Sequence, residues 1–251
     1  MTTLRLITIF ILACLIASGQ NRKIKKVETY LRNANYTKAC DLSKKIILVD
    51  SSTSTILYYY GLCERKNGNY ESALGHLNKS IEIDNKNSKS YGELGNVYAM
   101  TGNYDMALFN YNRAIELDKS NAYAYNSKGA VYYQFLDDDS LAILNYLNAF
   151  ALDKKNVIVL YNIGIYYKSK EMYKEAIEYL TDAIKLNKRL HKAYEARAVC
   201  YFNLKKYNKA IRGFKKALKF NTTKDPFDKL DDNEIQQWLT KCESANSRKA
   251  N

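Results

Sequence analysis

Proline, histidine and tryptophan are scarce in this 251-residue chain, which contains one proline, two histidines and one tryptophan. All-β folds need turn residues about every 8–12 residues, so one proline and ten glycines argue against them. The two histidines, His76 and His191, leave little room for histidine metal chemistry, and we expect both to be exposed and inert. Phosphate-binding glycine loops and the H-E-x-x-H and G-x-S-x-G motifs are also missing. The sequence therefore predicts a helical, non-enzymatic protein without a metal or cofactor.

Acidic residues are outnumbered, with 26 Asp and Glu against 39 Lys and Arg, for a net charge of +13. The excess lies near the two ends. Residues 20–66 hold ten basic and four acidic residues, and residues 185–219 hold twelve basic residues and one acid, Glu195. A solvated, Lys-rich surface explains such a run; the alternative is that an anionic membrane surface or another polyanion binds there. Nucleic acid is not an expected partner. The candidate basic patch consists of Lys205, Lys206, Lys209, Arg212, Lys215, Lys216 and Lys219.

Residues 1–19 have the pattern of an export signal. Arg5 precedes a largely apolar stretch at 6–16, and small residues at 17–19 precede Gln20. The stretch is shorter than the roughly 20 apolar residues of a transmembrane helix. We expect cleavage before Gln20; lipidation of Cys14 and an uncleaved anchor are the alternatives. All three would place the protein outside the cytoplasm, periplasmic or secreted, and the latter two would attach it to a membrane.

A repeat of 34 or 35 residues runs through the rest of the chain, marked by Ala39, Ala73, Ala107, Ala142, Ala176 and Ala210. Mostly small residues also recur 12 or 13 residues before these alanines and seven residues after them. Small residues at fixed points let two helices approach closely. Apolar residues follow a helical spacing within each repeat. Between the two helices we expect a turn at Thr101–Asn103, in which Gly102 can take a positive φ and Asn103 can cap the next helix.

This repeat resembles the tetratricopeptide repeat (TPR) family. Seven of the family's eight signature positions in one unit are filled by Tyr91, Leu94, Gly95, Tyr98, Ala107, Tyr111 and Ala114. The resemblance implies an all-α fold, a right-handed α-α superhelix (solenoid) of helix–turn–helix units. The six units would be 20–53, 54–87, 88–121, 122–156, 157–190 and 191–224, followed by a C-terminal capping helix at 225–245 and a frayed tail at 246–251.

The resemblance also implies a function, because the first helices of TPR units line a concave groove that binds an extended peptide or a partner's helix. We therefore expect a scaffold with a protein or peptide partner. The positions that usually face the groove are here Tyr58, Leu62, Arg65, Lys89, Asn96, Tyr123, Asn126, Tyr133, Ile158, Tyr161, Ile165, Lys168, Lys192, Glu195 and Phe202. The alternative for any one of them is packing between adjacent first helices.

Four cysteines follow the export signal, and none has the spacing of a metal site: Cys40, Cys63, Cys200 and Cys242. Each can serve simply as a small buried hydrophobic residue. In a solenoid of this kind, however, the second helix that carries Cys40 packs against the next first helix, which carries Cys63. Export would allow oxidation. We therefore predict a Cys40–Cys63 disulfide, with Cys200 and Cys242 free and buried.

Overall fold

The structure is a computed structural model that describes Gly19 and residues 21–33, 35–49, 53–221 and 230–250. These residues form helices joined by short turns, and no strand occurs among them. Apart from Gly19, the predicted export signal with Cys14 lies outside the described residues. No described helix is both long enough and apolar enough to cross a membrane.

The helices come in pairs. In chain order they are α1 (21–32), α2 (Tyr36–Ile47), α3 (Ser54–Lys66), α4 (Tyr70–Ile83), α5 (Ser88–Met100), α6 (Tyr104–Leu117), α7 (Ala122–Gln134), α8 (Asp139–Leu152), α9 (Val157–Ser169), α10 (Tyr173–Leu186), α11 (His191–Asn203), α12 (Tyr207–Phe220) and α13 (Asp232–Ala250). From α3 to α12, a first helix of 13 residues alternates with a second helix of 14 residues.

The chain divides into two compact parts, Met1–Ser127 and Lys128–Asn251, and the boundary falls inside α7. In the N-terminal part, each helix from α2 to α5 packs against the next one along the chain. Helices α8 to α13 pack in the same sequential way in the C-terminal part. First helices of neighbouring units also touch, α3 against α5 and α9 against α11. Contact between neighbours alone is the pattern of a repeat protein.

The two helices of a unit meet where the repeat places a residue with little or no side chain. A Cβ atom on Gly95 would lie 2.5 Å from Cε1 of Tyr111, and one on Gly164 would lie 2.6 Å from Cγ of Leu180. The recurring alanines, such as Ala107, are fully buried at the same crossings. The expectation from the sequence that small residues mark the helix crossings is therefore confirmed.

The turn between the two helices keeps one backbone conformation along the chain. Five residues before the recurring alanine, φ is positive at Gly68 (84°), Gly102 (80°), Asp137 (51°), Glu171 (57°) and Lys205 (56°). A residue with a Cβ atom costs about 1 kcal/mol in this conformation, so the turn is kept even where glycine is lost. Asn103 accepts a hydrogen bond from the backbone N–H of Met106 at 3.2 Å and is the N-cap that the sequence predicts.

The expectation of two exposed histidines is wrong. His191 is buried, with 6% of its surface exposed, because its helix α11 packs against α9, α10 and α12. His76 is half-buried: its ring lies edge-on to Tyr60, with centroids 4.4 Å apart, and its Nδ1 lies 2.7 Å from the carbonyl oxygen of Ser72.

The capping helix is longer than the sequence predicts, since α13 continues to Ala250. The expectation of a frayed tail from residue 246 is therefore wrong as far as Ala250. One reason is that the last turns remain attached to α12, because Asn246 Nδ2 donates to Asn208 Oδ1 at 3.2 Å. Further towards its start, Trp238 stacks on Phe214 of α12 with ring centroids 5.9 Å apart.

Cys40 of α2 and Cys63 of α3 form a disulfide, with their Cα atoms 5.6 Å apart. Both lie in a buried cluster with Val27 of α1, so the bond joins the first two units inside their shared core. Cys200 and Cys242 are free and buried. Burial raises the pKa of each of these thiols to about 11, so both are protonated at neutral pH.

A matched pair of glycine substitutions tests the helix crossing. We expect Gly95→Ala to lower the free energy of unfolding by about 1–3 kcal/mol, because the added methyl group would overlap the buried ring of Tyr111. Gly75→Ala, on the exposed face of α4, meets no atom within 4 Å and should raise stability by about 0.5–1 kcal/mol. Urea denaturation followed by circular dichroism measures both. Equal effects of the two substitutions would contradict the role of Gly95.

Peptide mapping tests the disulfide. In protein purified without reductant, unfolded and alkylated, we expect label on Cys200 and Cys242, and on Cys14 where the export signal is retained, while Cys40 and Cys63 stay joined. Reduction should then lower the free energy of unfolding by about 2–4 kcal/mol, as for a loop of this length. Label on both Cys40 and Cys63 before reduction would reject the bridge. A Cys40–Cys200 link would contradict the fold as well, since repeats contact only their neighbours.

Candidate functional site

A cleft of about 370 Å³ opens along α3 and α5 in the N-terminal part of the chain. We call it the N-terminal groove; its lining residues are Tyr58, Leu62, Arg65, Lys66, Lys89, Glu93, Asp118, Asn121 and Tyr123. Five of the residues that the sequence assigns to a groove line it: Tyr58, Leu62, Arg65, Lys89 and Tyr123. Lys66, Glu93, Asp118 and Asn121 were not among those assigned.

A nearly buried ion pair joins the two first helices along this groove. Arg65 Nε of α3 donates to Glu93 Oε2 of α5 at 2.6 Å. The two side chains are 11% and 4% exposed. Burial alone would lower the pKa of Arg65, but the negative charge of Glu93 and the hydrogen bond outweigh it, and the pKa is raised. Arg65 is therefore charged at neutral pH where it forms the ion pair with Glu93.

Tyr123, near the start of α7, forms a hydrogen bond with the second oxygen of the Glu93 carboxylate. Its hydroxyl group donates to Glu93 Oε1 at 2.8 Å and accepts a hydrogen bond from Asn96 Nδ2. Asn96 Oδ1 in turn accepts from the hydroxyl group of Tyr111 on α6 at 2.8 Å. One connected network thus fixes side chains from α3, α5, α6 and the start of α7.

The tyrosines of this network remain neutral. Burial, followed by the charge of Glu93, raises the pKa of Tyr58, which lines the groove outside the network. The same two causes raise the pKa of Tyr111 and Tyr123 above the usual value. Their hydroxyl groups therefore act as hydrogen-bond donors and acceptors, not as nucleophiles or bases. Tyr123 nevertheless keeps 44% of its surface exposed, because its ring faces the groove while its hydroxyl group is held in the network.

Glu93 could have been found from the sequence by comparing the units with one another. The equivalent residues of the other units from 54 onward are Tyr59, Ser127, Asn162 and Ala196, none of them acidic. An acid that breaks a repeat pattern on a mostly buried helix needs a partner. The identity of that partner, 28 residues earlier in the chain, is visible only in the structure.

The remaining predicted groove residues are less open. In the C-terminal part, Ile158 is 62% exposed, while Tyr133, Tyr161, Ile165, Lys168, Lys192, Glu195 and Phe202 are half-buried. Tyr161 and Ile165 pack against the core, as the alternative interpretation predicts. Phe202 lies edge-on to Trp238 of α13, with centroids 5.2 Å apart, and is partly covered by it.

In the N-terminal part, Asn126 is buried, with 8% of its surface exposed, so it offers little surface to a groove. The predicted basic patch lies on α12 and the turn before it, and all seven of its side chains are exposed.

Cys40, Cys63 and Glu64 are the potential metal ligands that the described chain brings together, with ligand atoms within 4.8 Å of one another. Metals bind cysteine as the thiolate, and here the disulfide uses both sulfur atoms. The group therefore offers no metal site in the oxidised state.

Removing one partner of the ion pair should be costly. We expect Arg65→Met to lower the free energy of unfolding by about 3–5 kcal/mol, because Glu93 would keep a buried, unpaired charge. The double variant Arg65→Met with Glu93→Leu should recover most of this loss. The control is Arg113→Met, whose partner Glu116 is 63% exposed, with an expected loss much smaller than that of Arg65→Met because solvent screens the pair. Urea denaturation of the four proteins measures the effects, and equal losses for Arg65→Met and Arg113→Met would contradict the assignment.

The sequence matches models of one protein family. Models of the tetratricopeptide repeat match residues 52–120, 158–189 and 191–223, together more than half of the chain. No curated protein matches the sequence.

Many solved structures share the fold. A chain of the APC/C hetero-tetramer Cut9-Hcn1 superposes with a TM-score of 0.76 and 18% identity, over 89% of this chain and 42% of that one. PilF of Pseudomonas aeruginosa superposes with a TM-score of 0.67 and 13% identity, over 87% and 96% of the two chains. YrrB, described as a TPR protein with an unusual peptide-binding site, has a TM-score of 0.51 and 19% identity, over 74% and 94%.

The all-helical fold, the sequential packing of its helix pairs and the three family matches agree with the resemblance seen in the sequence. The chain belongs to the tetratricopeptide repeat family.

Proposed function

We propose that this protein is a non-enzymatic scaffold that binds a segment of a partner protein in the N-terminal groove. The observation that carries the proposal is the network of Arg65, Glu93, Asn96, Tyr111 and Tyr123, which holds the groove wall in one arrangement before any ligand arrives. A wall that is already ordered loses little side-chain entropy on binding, which favours affinity.

The groove combines apolar surface with three cations and two acids, of which Glu93 is paired with Arg65 and Asp118 is half-buried. Leu62 and the rings of Tyr58 and Tyr123 supply the apolar part. Lys66 and Lys89 add positive charge at exposed positions. Within the described chain, Arg65 donates only through Nε, which leaves its two Nη groups for a ligand. We therefore propose a segment that carries an aromatic or aliphatic residue beside a carboxylate.

Peptide binding is a described property of YrrB, one of the structures with this fold, and we extend it to this chain as part of the proposal. We also propose that the protein acts outside the cytoplasm. The pattern of residues 1–19 supports export, and the Cys40–Cys63 disulfide suits an oxidising compartment.

Selection from a displayed library of random peptides tests the groove. We expect enriched peptides that contain Asp or Glu near an aromatic or aliphatic residue and bind the full-length protein with micromolar affinity, measured by fluorescence anisotropy. Lys89→Glu places a negative charge in the groove and should weaken this binding about fivefold or more. Lys79→Glu is the matched control, because Lys79 is exposed on α4 and does not line the groove.

Binding that is unchanged by Lys89→Glu, or weakened equally by both substitutions, would contradict the proposed site. Failure to enrich any peptide against the folded protein would contradict peptide binding itself.

A further inference from the structure

A second cleft, of about 280 Å³, lies between α11 and α12 in the C-terminal part. Arg197, Tyr201, Lys209, Arg212, Gly213 and Lys216 line it. Four of these six residues are cations and none is acidic. We call it the α11–α12 cleft; it is separate in sequence from every residue of the N-terminal groove.

Helical spacing accounts for the convergence of these charges. Lys209, Arg212 and Lys216 are three and four residues apart and therefore lie on one face of α12. Gly213, between them, has no side chain to fill the cleft, and it allows close contact with α11, because a Cβ atom there would lie 2.8 Å from that of Ala198. Arg197 comes from the facing side of α11.

Two tyrosine rings of α11 hold the cations near one another. The guanidinium carbon of Arg197 lies 5.6 Å from the ring centroid of Tyr194 and 6.0 Å from that of Tyr201. Lys216 Nζ lies 5.5 Å from the ring of Tyr194, and Lys209 Nζ lies 5.6 Å from that of Tyr201. Each ring thus attracts two cations, but a neutral ring does not remove their net charge.

No acidic side chain among the described residues forms an ion pair with these four cations. Arg197 Nη1 donates to the neutral Thr181 Oγ1 of α10 at 2.8 Å. Nearby on α10, Asp182 is paired with Lys185 at 2.8 Å. Glu195 is the single acid of α11 and α12, and it does not line the cleft. The four like charges therefore repel one another. An anion bound between them would be attracted to all four and would offset this repulsion.

We propose that the α11–α12 cleft is a binding site for a phosphate group. Its volume exceeds that of one water molecule several-fold, so a phosphate with part of its attached group can enter. Two guanidinium groups can bind phosphate oxygens through paired hydrogen bonds, while the two lysines act as point charges. The phosphate comes either from a small soluble compound or from a lipid headgroup, and the chemistry of recognition is the same.

Isothermal titration calorimetry of the full-length protein with inorganic pyrophosphate tests the site. We expect binding by the wild type, and a loss of affinity of about tenfold or more in the double variant Arg212→Gln, Lys216→Gln, because charge-assisted hydrogen bonds would be lost. Both side chains are exposed, so the variant should fold. The control is Lys206→Gln with Lys215→Gln, which removes the same charge from the basic patch but outside the cleft; its affinity should change less than about twofold.

Equal weakening in the two double variants would overturn the proposal, because it would mean that general positive charge binds pyrophosphate. Absence of pyrophosphate binding by the folded wild type would overturn it as well. Melting temperature gives a second measurement: pyrophosphate should raise that of the wild type and of the control, but not that of the cleft variant, relative to sodium chloride of equal ionic strength.

Sedimentation with phosphatidylcholine vesicles, with and without phosphatidic acid, distinguishes the two sources of the phosphate. Sedimentation that needs phosphatidic acid, is lost in the cleft variant and is displaced by pyrophosphate assigns the site to a lipid headgroup. Pyrophosphate binding by the same protein without such sedimentation assigns it to a soluble phosphate compound. Phosphatidic acid binding that the cleft variant retains would overturn the lipid headgroup as the ligand of this cleft.

Discussion

The close contact between Gly95 and Tyr111 is the constraint on which both the fold and the groove of the N-terminal part depend. Because glycine has no side chain, the ring of Tyr111 can lie directly on the backbone of α5. That position brings its hydroxyl group to Asn96, one residue further along α5. Asn96 then binds Tyr123, and Tyr123 binds Glu93. A packing position that recurs in the repeat, filled here by Tyr111, therefore also supplies the first member of the network that shapes the groove.

Helix pairs, their turns and their crossing points could be predicted because each is encoded locally and repeated. A single glycine predicts little about the fold. Alanines that recur every 34 or 35 residues, with small residues at fixed distances from them, specify one supersecondary unit. The ion pair could not be predicted in the same way, since Arg65 and Glu93 lie on different helices and meet only through the stacking of units. His191 shows a related limit: as a polar residue at a helix start it suggested exposure, and tertiary packing around α11 decided otherwise.

Charge was predictable in amount but not in arrangement. The sequence identifies a basic run over α12, yet a run of lysines does not reveal which of them converge. Lys206 and Lys215 belong to the run and lie outside the α11–α12 cleft, whereas Arg197, from the preceding helix, lines it. Helical periodicity selects Lys209, Arg212 and Lys216 as one face. The contribution of α11 depends on the crossing at Gly213, which sequence periodicity does not specify.

The N-terminal groove and the α11–α12 cleft differ in how their cations are paired, and this difference distinguishes the two proposed binding sites. In the N-terminal groove, Glu93 pairs with Arg65 inside the fold and fixes the shape of the wall, and the proposed ligand would meet apolar rings together with Lys66 and Lys89. In the α11–α12 cleft, the cations have no acidic partner among the residues that line it, and the interaction that is missing within the fold is available to an anion. Salt screens exposed charges far more than buried, paired ones. Under the two proposals, anion binding in the cleft is therefore expected to be more sensitive to ionic strength than peptide binding in the groove. The two proposals thus assign ligands of different chemistry to one chain of repeated units, with the packing that builds each unit unchanged.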